Sequence, residues 1–196
     1  MNRSVILLIL LIGASLLACR ETFTPKPEGY PRIKFPSKTY QPYDNSYCPF
    51  VFEIPTYSKI IRDSLFFNES VESPCWLNLQ FDQLNGTVHL SYKNLSNRND
   101  LVQLLEDNHK LTFKHAVRAD FIDEKIIQTP NEVSGMWFDV GGDAASSVQF
   151  FLTDSVQHFI RGALYFNAPS NSDSLAPAIE FLKEDISHLI ETFEWK

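Results

Sequence analysis

The segment WLNLQFDQLNGTVHLSY, which covers residues 76–92, leaves little choice of local fold. Its apolar residues recur at every second position on both sides of a central turn, and they are Leu77, Leu79, Phe81, Val88, Leu90 and Tyr92. Successive side chains of a β-strand point to opposite faces, so this alternation indicates two strands that share one apolar face. Between them stand Asn85 and Gly86, a pair that is typical of a type I′ turn. The sequence therefore predicts a β-hairpin that turns at these two residues.

Further strands are predicted on both sides of this hairpin. Alternation or short apolar runs indicate strands at residues 50–54, 57–61, 133–140, 146–152 and 159–166. The preceding stretch, from Tyr30 to Pro49, carries several prolines, which cannot donate a hydrogen bond to a neighbouring strand. Any strand in that stretch, such as one at residues 32–35, is therefore expected to be short or to lie at a sheet edge.

Two segments have the 3.6-residue periodicity of helices. Residues 99–122 contain no glycine or proline and carry an apolar stripe, which predicts one long helix. The closing segment has a clearer stripe, formed by Leu175, Ile179, Leu182, Ile186, Leu189 and Phe193. Asp173 or Ser174 is expected to cap this second helix, and the helix is expected to run almost to Lys196.

The order of these elements predicts the fold class. Strands and the hairpin come first, and a helix, three strands and a closing helix follow. This order is typical of an α+β domain, in which helices cover an antiparallel sheet. We therefore expect a single domain at residues 30–196, with two long helices flanking the sheet. The arrangement is similar to the PsbP/Mog1-like fold, in which two helices also flank an antiparallel sheet.

An apolar run near the start of the chain, residues 5–17, ends just before Cys19. At about a dozen residues it is short for a bilayer span and typical of the apolar part of a secretory signal. The order Leu-Leu-Ala-Cys that closes it resembles a bacterial lipobox, in which the cysteine is acylated and becomes the first mature residue. We therefore expect a signal peptide at residues 1–18 and a lipidated tether at residues 19–29. The alternative is an ordinary signal peptide that happens to precede a cysteine.

Export changes how the two remaining cysteines, Cys48 and Cys75, are interpreted. The periplasm is oxidising, so a structural disulfide between them is the favoured hypothesis. Such a bridge would contribute roughly 3 kcal/mol by restricting the unfolded chain. The alternatives are two buried free thiols, or a redox or metal pair, although the spacing matches neither C-x-x-C nor a zinc pattern.

Charge and composition exclude some classes of protein. The chain has 17 Lys and Arg against 24 Asp and Glu, a formal net charge of −7. This acidic balance argues against a nucleic-acid partner, which requires clustered basic residues. No second apolar stretch approaches the roughly 18 residues that a spanning helix needs.

No arrangement of residues in the sequence predicts an active site. Asp154, Ser155 and His158 lie close together in TDSVQH, but the G-x-S-x-G turn of a serine hydrolase is missing. We therefore interpret TDSVQH as a connection between strands. The histidines lack ligand-spaced partners, and the sequence has no phosphate-binding loop or dinucleotide motif. No catalytic residue, metal site or cofactor is predicted.

Several stretches together resemble one family. They are the lipobox, PKPEGYPRIKFP, CPFVFEIPTYSKI, PCWLNLQF and the C-terminal third from SSVQFFLTD onwards. They are similar to the gliding-motility lipoprotein GldD of Bacteroidetes-type bacteria, over essentially the whole mature chain. Residues 62–73 depart from that pattern.

This resemblance implies a role in gliding motility and in the associated type IX secretion machinery. It implies an acylated Cys19, a cysteine pair at Cys48 and Cys75, and no catalytic residues. The implied partners are the membrane, other lipoproteins of the machinery and its core components. The implied location is the cell envelope, with the domain facing the periplasm and either membrane as the anchor.

Three functional hypotheses follow from the sequence. The leading one is a non-catalytic assembly lipoprotein. The second is a carrier of a small apolar ligand, which would need an apolar cleft between sheet and helices. The third is a periplasmic hydrolase, which would need Ser155, His158 and a carboxylate to meet in one pocket.

Overall fold

The computed structural model describes residues 33–62, 65–66, 69–70 and 73–196. In these residues the chain forms two α-helices and twelve β-strands. The helices are α1 (Arg98–Phe113) and α2 (Ser172–Glu191). The strands are β1 (Tyr40–Asp44), β2 (Phe50–Pro55), β3 (Lys59–Arg62), β4 (Leu65–Phe66), β5 (Glu69–Ser70), β6 (Leu77–Phe81), β7 (Gly86–Asn94), β8 (Ala119–Gln128), β9 (Ser134–Gly142), β10 (Ser146–Thr153), β11 (His158–Phe166) and β12 (Glu194–Trp195).

Seven of these strands form one antiparallel sheet, the main sheet, in the order β3-β6-β7-β11-β10-β9-β8. A small sheet has the order β1-β2-β12, and β4 pairs with β5. The strands predicted at residues 133–140, 146–152 and 159–166 are confirmed as β9, β10 and β11. The predicted class, a single α+β domain with an antiparallel sheet and two helices, is confirmed.

The predicted hairpin is confirmed as β6 and β7, the second and third strands of the main sheet. Leu77 pairs with Leu90 and Leu79 with Val88, so the apolar residues share one face as the alternation required. The predicted two-residue turn is wrong, because β7 already begins at Gly86.

A longer loop replaces that turn. Asp82–Leu84 form one turn of 3₁₀-helix, and Asn85 alone takes the left-handed conformation, with φ of 51°. This loop buries the Leu84 side chain, which a two-residue turn would leave in a strand. Gly86 is needed for space, since a Cβ there would lie 2.9 Å from the Leu182 Cδ1 atom of α2.

The inner face of the main sheet carries the hydrophobic core, and α2 covers it. Leu182, Ile186 and Leu189 of the predicted stripe are almost fully buried, as the periodicity required. The helix ends at Glu191 and does not run almost to Lys196 as predicted, so the equally buried Phe193 lies between α2 and β12. The small sheet closes the same core with Phe50 and Phe52. The cap of α2 is Asn171, whose side chain accepts a hydrogen bond from the Ser174 N–H, and not Asp173 or Ser174 as predicted.

The helix predicted at residues 99–122 is too long. The α-helix ends at Phe113, a 3₁₀ turn covers Lys114–Val117, and β8 then forms the outer edge of the main sheet. Most side chains of β8 are exposed on both faces, so the alternation that identifies a half-buried strand is absent there. Its pairing with β9 decides its structure.

Part of the predicted N-terminal organisation lies outside the described residues, namely the signal peptide at 1–18, Cys19 and the tether. Residues 33–39 are irregular, so the strand predicted at 32–35 is not found in its described part. The edge strand is instead β1, which contains Pro42 and is paired with β2 alone. A proline is tolerated there because, within the described residues, the other edge of β1 faces no strand.

Candidate functional site

A disulfide between Cys48 and Cys75 links the two sheets. Cys48 precedes β2 of the small sheet and Cys75 precedes β6 of the main sheet, with Cα atoms 5.6 Å apart. Both cysteines are 2% exposed, so the bridge is a buried part of the core. The two positions that the sequence singled out are thus brought together, and the covalent link holds the strands on either side of it.

We expect the peptides containing Cys48 and Cys75 to resist alkylation until the protein is reduced. Protein from freshly lysed cells would be denatured in iodoacetamide, and its peptides analysed by mass spectrometry with and without prior reduction. Neither peptide should carry the label before reduction, and both should carry it afterwards. Labelling of both peptides without reductant would mean that the cysteines are free thiols in the cell.

An open groove of about 710 Å³ runs beside this disulfide. It is lined by residues from the segment before β2, the ends of β7 and β11, and the C-terminus: Ser46, Tyr47, Cys48, Pro49, Tyr92, Asn94, Leu95, Gln157, His158 and Lys196. Tyr47 is 72% exposed at its rim. We name it the disulfide groove.

The His158 side chain in the disulfide groove is held by a hydrogen bond and by an aromatic contact. Its Nδ1 atom lies 2.7 Å from the Tyr92 hydroxyl oxygen, and the Trp195 ring stacks on it at a centroid distance of 5.1 Å. Burial, followed by the nearby Asp154 charge, raises the pKa of Tyr92, so this hydroxyl stays protonated at neutral pH. The groove therefore offers aromatic faces and hydrogen-bonding groups, which suit binding better than nucleophilic attack.

The Asp154, Ser155 and His158 cluster forms a turn, which confirms the interpretation of TDSVQH as a connection between strands. The Asp154 Oδ1 atom accepts hydrogen bonds from the N–H groups of Val156, Gln157 and His158, at 2.8–2.9 Å. Burial opposes ionisation of Asp154, but these three N–H groups hold its pKa below the usual value. Ser155 has a φ of 64°, and in the described chain no hydrogen bond joins it to His158. The Asp154 carboxylate therefore shapes the loop and does not orient the imidazole.

A second polar cluster lies where the N-terminal segment meets α2, and sequence reasoning missed it. Asp185 is 1% exposed, although it is a carboxylate. Its Oδ1 atom accepts hydrogen bonds from the Lys38 Nζ and the Tyr40 hydroxyl, each at 2.9 Å, and its Oδ2 accepts one from Tyr57. A buried carboxylate is tolerated only with such partners.

Burial, reinforced by the hydrogen bonds to Asp185, raises the pKa values of Tyr40 and Tyr57. Both hydroxyls therefore remain donors to this carboxylate at any physiological pH. The cluster fastens the segment before β1 to α2, so its role is structural. A signal for it exists in the sequence, because Asp185 follows Leu182 by three positions and so falls on the apolar side of α2.

Within the described residues no group of three or more His, Cys, Asp or Glu side chains is placed to hold a metal ion. Neither described helix combines the length and the apolar character needed to cross a bilayer.

Comparisons with known proteins add a family and a structural likeness. A family model described as "Gliding motility lipoprotein GldD" matches residues 20–195. Among solved structures, the chain is similar to the solution structure of cyanobacterial PsbP (CyanoP) from Synechocystis sp. PCC 6803, with 9% sequence identity and a TM-score of 0.48. That match covers 87% of this chain and 100% of the PsbP chain. No significant match was found among curated proteins. The family match spans nearly all of the chain that follows Cys19.

Proposed function

Because the chain belongs to the gliding motility lipoprotein GldD family, we propose that it acts in the assembly or stability of the gliding and type IX secretion machinery. The observation that carries this proposal is the family match over residues 20–195, which includes every described residue except Lys196. Gliding motility is the function that the family's description names. The link to type IX secretion is the further step of the proposal.

We propose that an acylated Cys19 holds the protein at the membrane. Residues 19–29 would then form the tether, and the domain from residue 30 would face the periplasm. A lipobox cysteine directly before the matched residues supports this anchor. The buried Cys48–Cys75 disulfide supports an oxidising location for the domain. Two membranes of the envelope fit these observations equally.

We propose that the protein contributes contacts and not catalysis. The arrangement of His158 supports this, since its Nδ1 atom faces the Tyr92 hydroxyl while the Asp154 carboxylate binds backbone N–H groups. The carrier hypothesis has less support. The space between α2 and the main sheet is filled by Leu182, Ile186 and other buried side chains. Other lipoproteins and core components of the machinery are the proposed partners.

Deletion of the encoding gene is expected to abolish colony spreading and the secretion of type IX substrates, and a plasmid copy should restore both. An assembly role further predicts that other components of the machinery fall in abundance in the deletion strain, which quantitative mass spectrometry of envelope fractions would measure. In-cell crosslinking of the plasmid copy should capture those same components. Normal spreading and secretion in the deletion strain would contradict the proposed function.

A further inference from the structure

The outer face of the main sheet carries a polar cleft over strands β6, β7 and β11. Strand register puts its polar residues on one face, because Arg161 pairs with Ser91 while His89 pairs with Asn78. The cleft encloses about 300 Å³. It is lined by Trp76, Leu77, Asn78, His89, Leu90, Ser91, Arg161 and Tyr165. We name it the Arg161 cleft.

Arg161 is a largely buried cation, and its partners among the described residues are neutral side chains. Its Nε atom donates a hydrogen bond of 3.1 Å to the Asn108 Oδ1 atom of α1, and its Nη2 atom donates one to the Gln149 Oε1 atom of β10. Tyr165 is also within interaction distance. Within the described residues no carboxylate forms an ion pair with the guanidinium.

This absence of a counter-charge is energetically unusual. Burial lowers the pKa of Arg161, and the interaction with Tyr165 opposes that change only in part. A buried cation is normally paired with an acidic group, because desolvation without such a pair is costly. The protein has seven more acidic than basic side chains, yet none of the residues that line the cleft is acidic.

The neighbouring amides have unused donors as well. Asn108 and Gln149 are almost fully buried, and their oxygens accept the Arg161 hydrogen bonds. Gln149 Oε1 also accepts one from the Thr112 hydroxyl. The amide nitrogens of Asn108 and Gln149 have no acceptor among the described residues. The network under the cleft therefore has more donors than acceptors, and buried polar groups are normally satisfied.

We propose that the Arg161 cleft binds a small anion that presents a phosphate or carboxylate group to the Arg161 guanidinium. The planar guanidinium donates two parallel hydrogen bonds to either group, which makes such pairs strong and directional. The ligand would supply the missing negative charge and acceptor atoms for the guanidinium. The volume of the cleft is sufficient for a small organic anion and not only for a single ion.

The test measures binding of sodium phosphate and of sodium acetate to the mature protein in detergent. Ionic strength is held constant with sodium chloride, and both calorimetry and the thermal midpoint are recorded. We expect at least one of the two anions to bind and to raise the midpoint with increasing concentration. Arg161→Gln should weaken that binding by about tenfold or more, since it removes a charge-assisted pair. Arg98→Gln is the matched control, because Arg98 is exposed at the start of α1, and it should bind like the unaltered protein.

If Arg161→Gln does not fold, the proposal can still be tested on the unaltered protein by NMR. The Nε–H resonance of Arg161 should shift on titration with the anion that binds. Short-chain phosphatidic acid distinguishes the source of a phosphate ligand. Tighter binding than inorganic phosphate indicates a lipid headgroup, and weaker binding indicates a free anion. Binding of neither phosphate nor acetate, an unshifted Arg161 resonance, or undiminished binding to Arg161→Gln would overturn the proposal.

Discussion

Replacing Leu182 with aspartate is expected to unfold the domain or to leave it barely stable. Leu182 is fully buried at the centre of α2, against the start of β7. An aspartate there would lose the apolar contacts and would bring a carboxylate into the core without the donors that Asp185 has. The cost is on the order of 4–5 kcal/mol or more, out of a typical total stability of roughly 5–15 kcal/mol.

Thermal unfolding followed by circular dichroism measures this effect. The transition of Leu182→Asp should fall by about 10–20 °C or lose its cooperativity. Ser187→Asp is the matched control, because it introduces the same side chain at an exposed position of α2. Its effect should stay within about 1 kcal/mol, although it replaces the hydrogen bond from the Ser187 hydroxyl to Glu191 by a like-charge pair. Glu184 is a poorer control position, since its carboxylate lies 3.2 Å from the Lys38 Nζ. Equal shifts for the two aspartate variants would mean that α2 does not bury the face that contains Leu182.

The elements that sequence reasoning predicted well are those whose pattern is local and repeated. The hairpin β6–β7 alternates over both strands because one face is buried and the other is not. The closing helix has a single stripe because α2 lies on the sheet with one side. In both cases, burial on one side produces a periodic pattern of apolar residues in the sequence.

The errors have a shared physical cause, which is that tertiary contacts decided the local structure. The first four residues of β8 were predicted as the end of a helix and the rest of the strand was missed, because an edge strand exposed on both faces has no alternation to detect. The turn before Gly86 was predicted from the Asn-Gly pair. The loop that is found instead contains a 3₁₀ turn at Asp82–Leu84, which buries Leu84 in the core.

The partners within the polar clusters could not be predicted for a related reason, although the position of Asp185 on the apolar side of α2 could. Asp185 meets Lys38 across 147 positions of sequence, and Arg161 meets Asn108 across 53. No spacing rule links residues so far apart, so their partners emerge only from the packing of α2 and α1 on the sheet. The cysteine pair could be predicted because, after Cys19, an exported chain with two remaining cysteines can form one intramolecular disulfide.

Replacing Cys19 with alanine is expected to abolish function while leaving the domain folded. The described core, the disulfide and the Asp185 cluster all lie after residue 32, so they do not require the acylated cysteine. Lipid chains bind a bilayer with about 0.8 kcal/mol for each buried CH₂, so an anchor with two or more chains is stable. Loss of the anchor would release the domain from the membrane and lower its effective concentration near membrane-bound partners.

We therefore expect Cys19→Ala to accumulate as a released periplasmic protein whose thermal midpoint, measured on purified material, equals that of the anchored form. It should not restore colony spreading or type IX secretion to a deletion strain. Fusion of the same variant to an unrelated membrane anchor supplies the control, because it returns the domain to the bilayer without acylation and should recover function. Full complementation by a demonstrably unacylated and released form would instead show that position at the membrane is unnecessary. The proposed assembly role would then have to give way to one that operates in free solution, such as the carrier hypothesis.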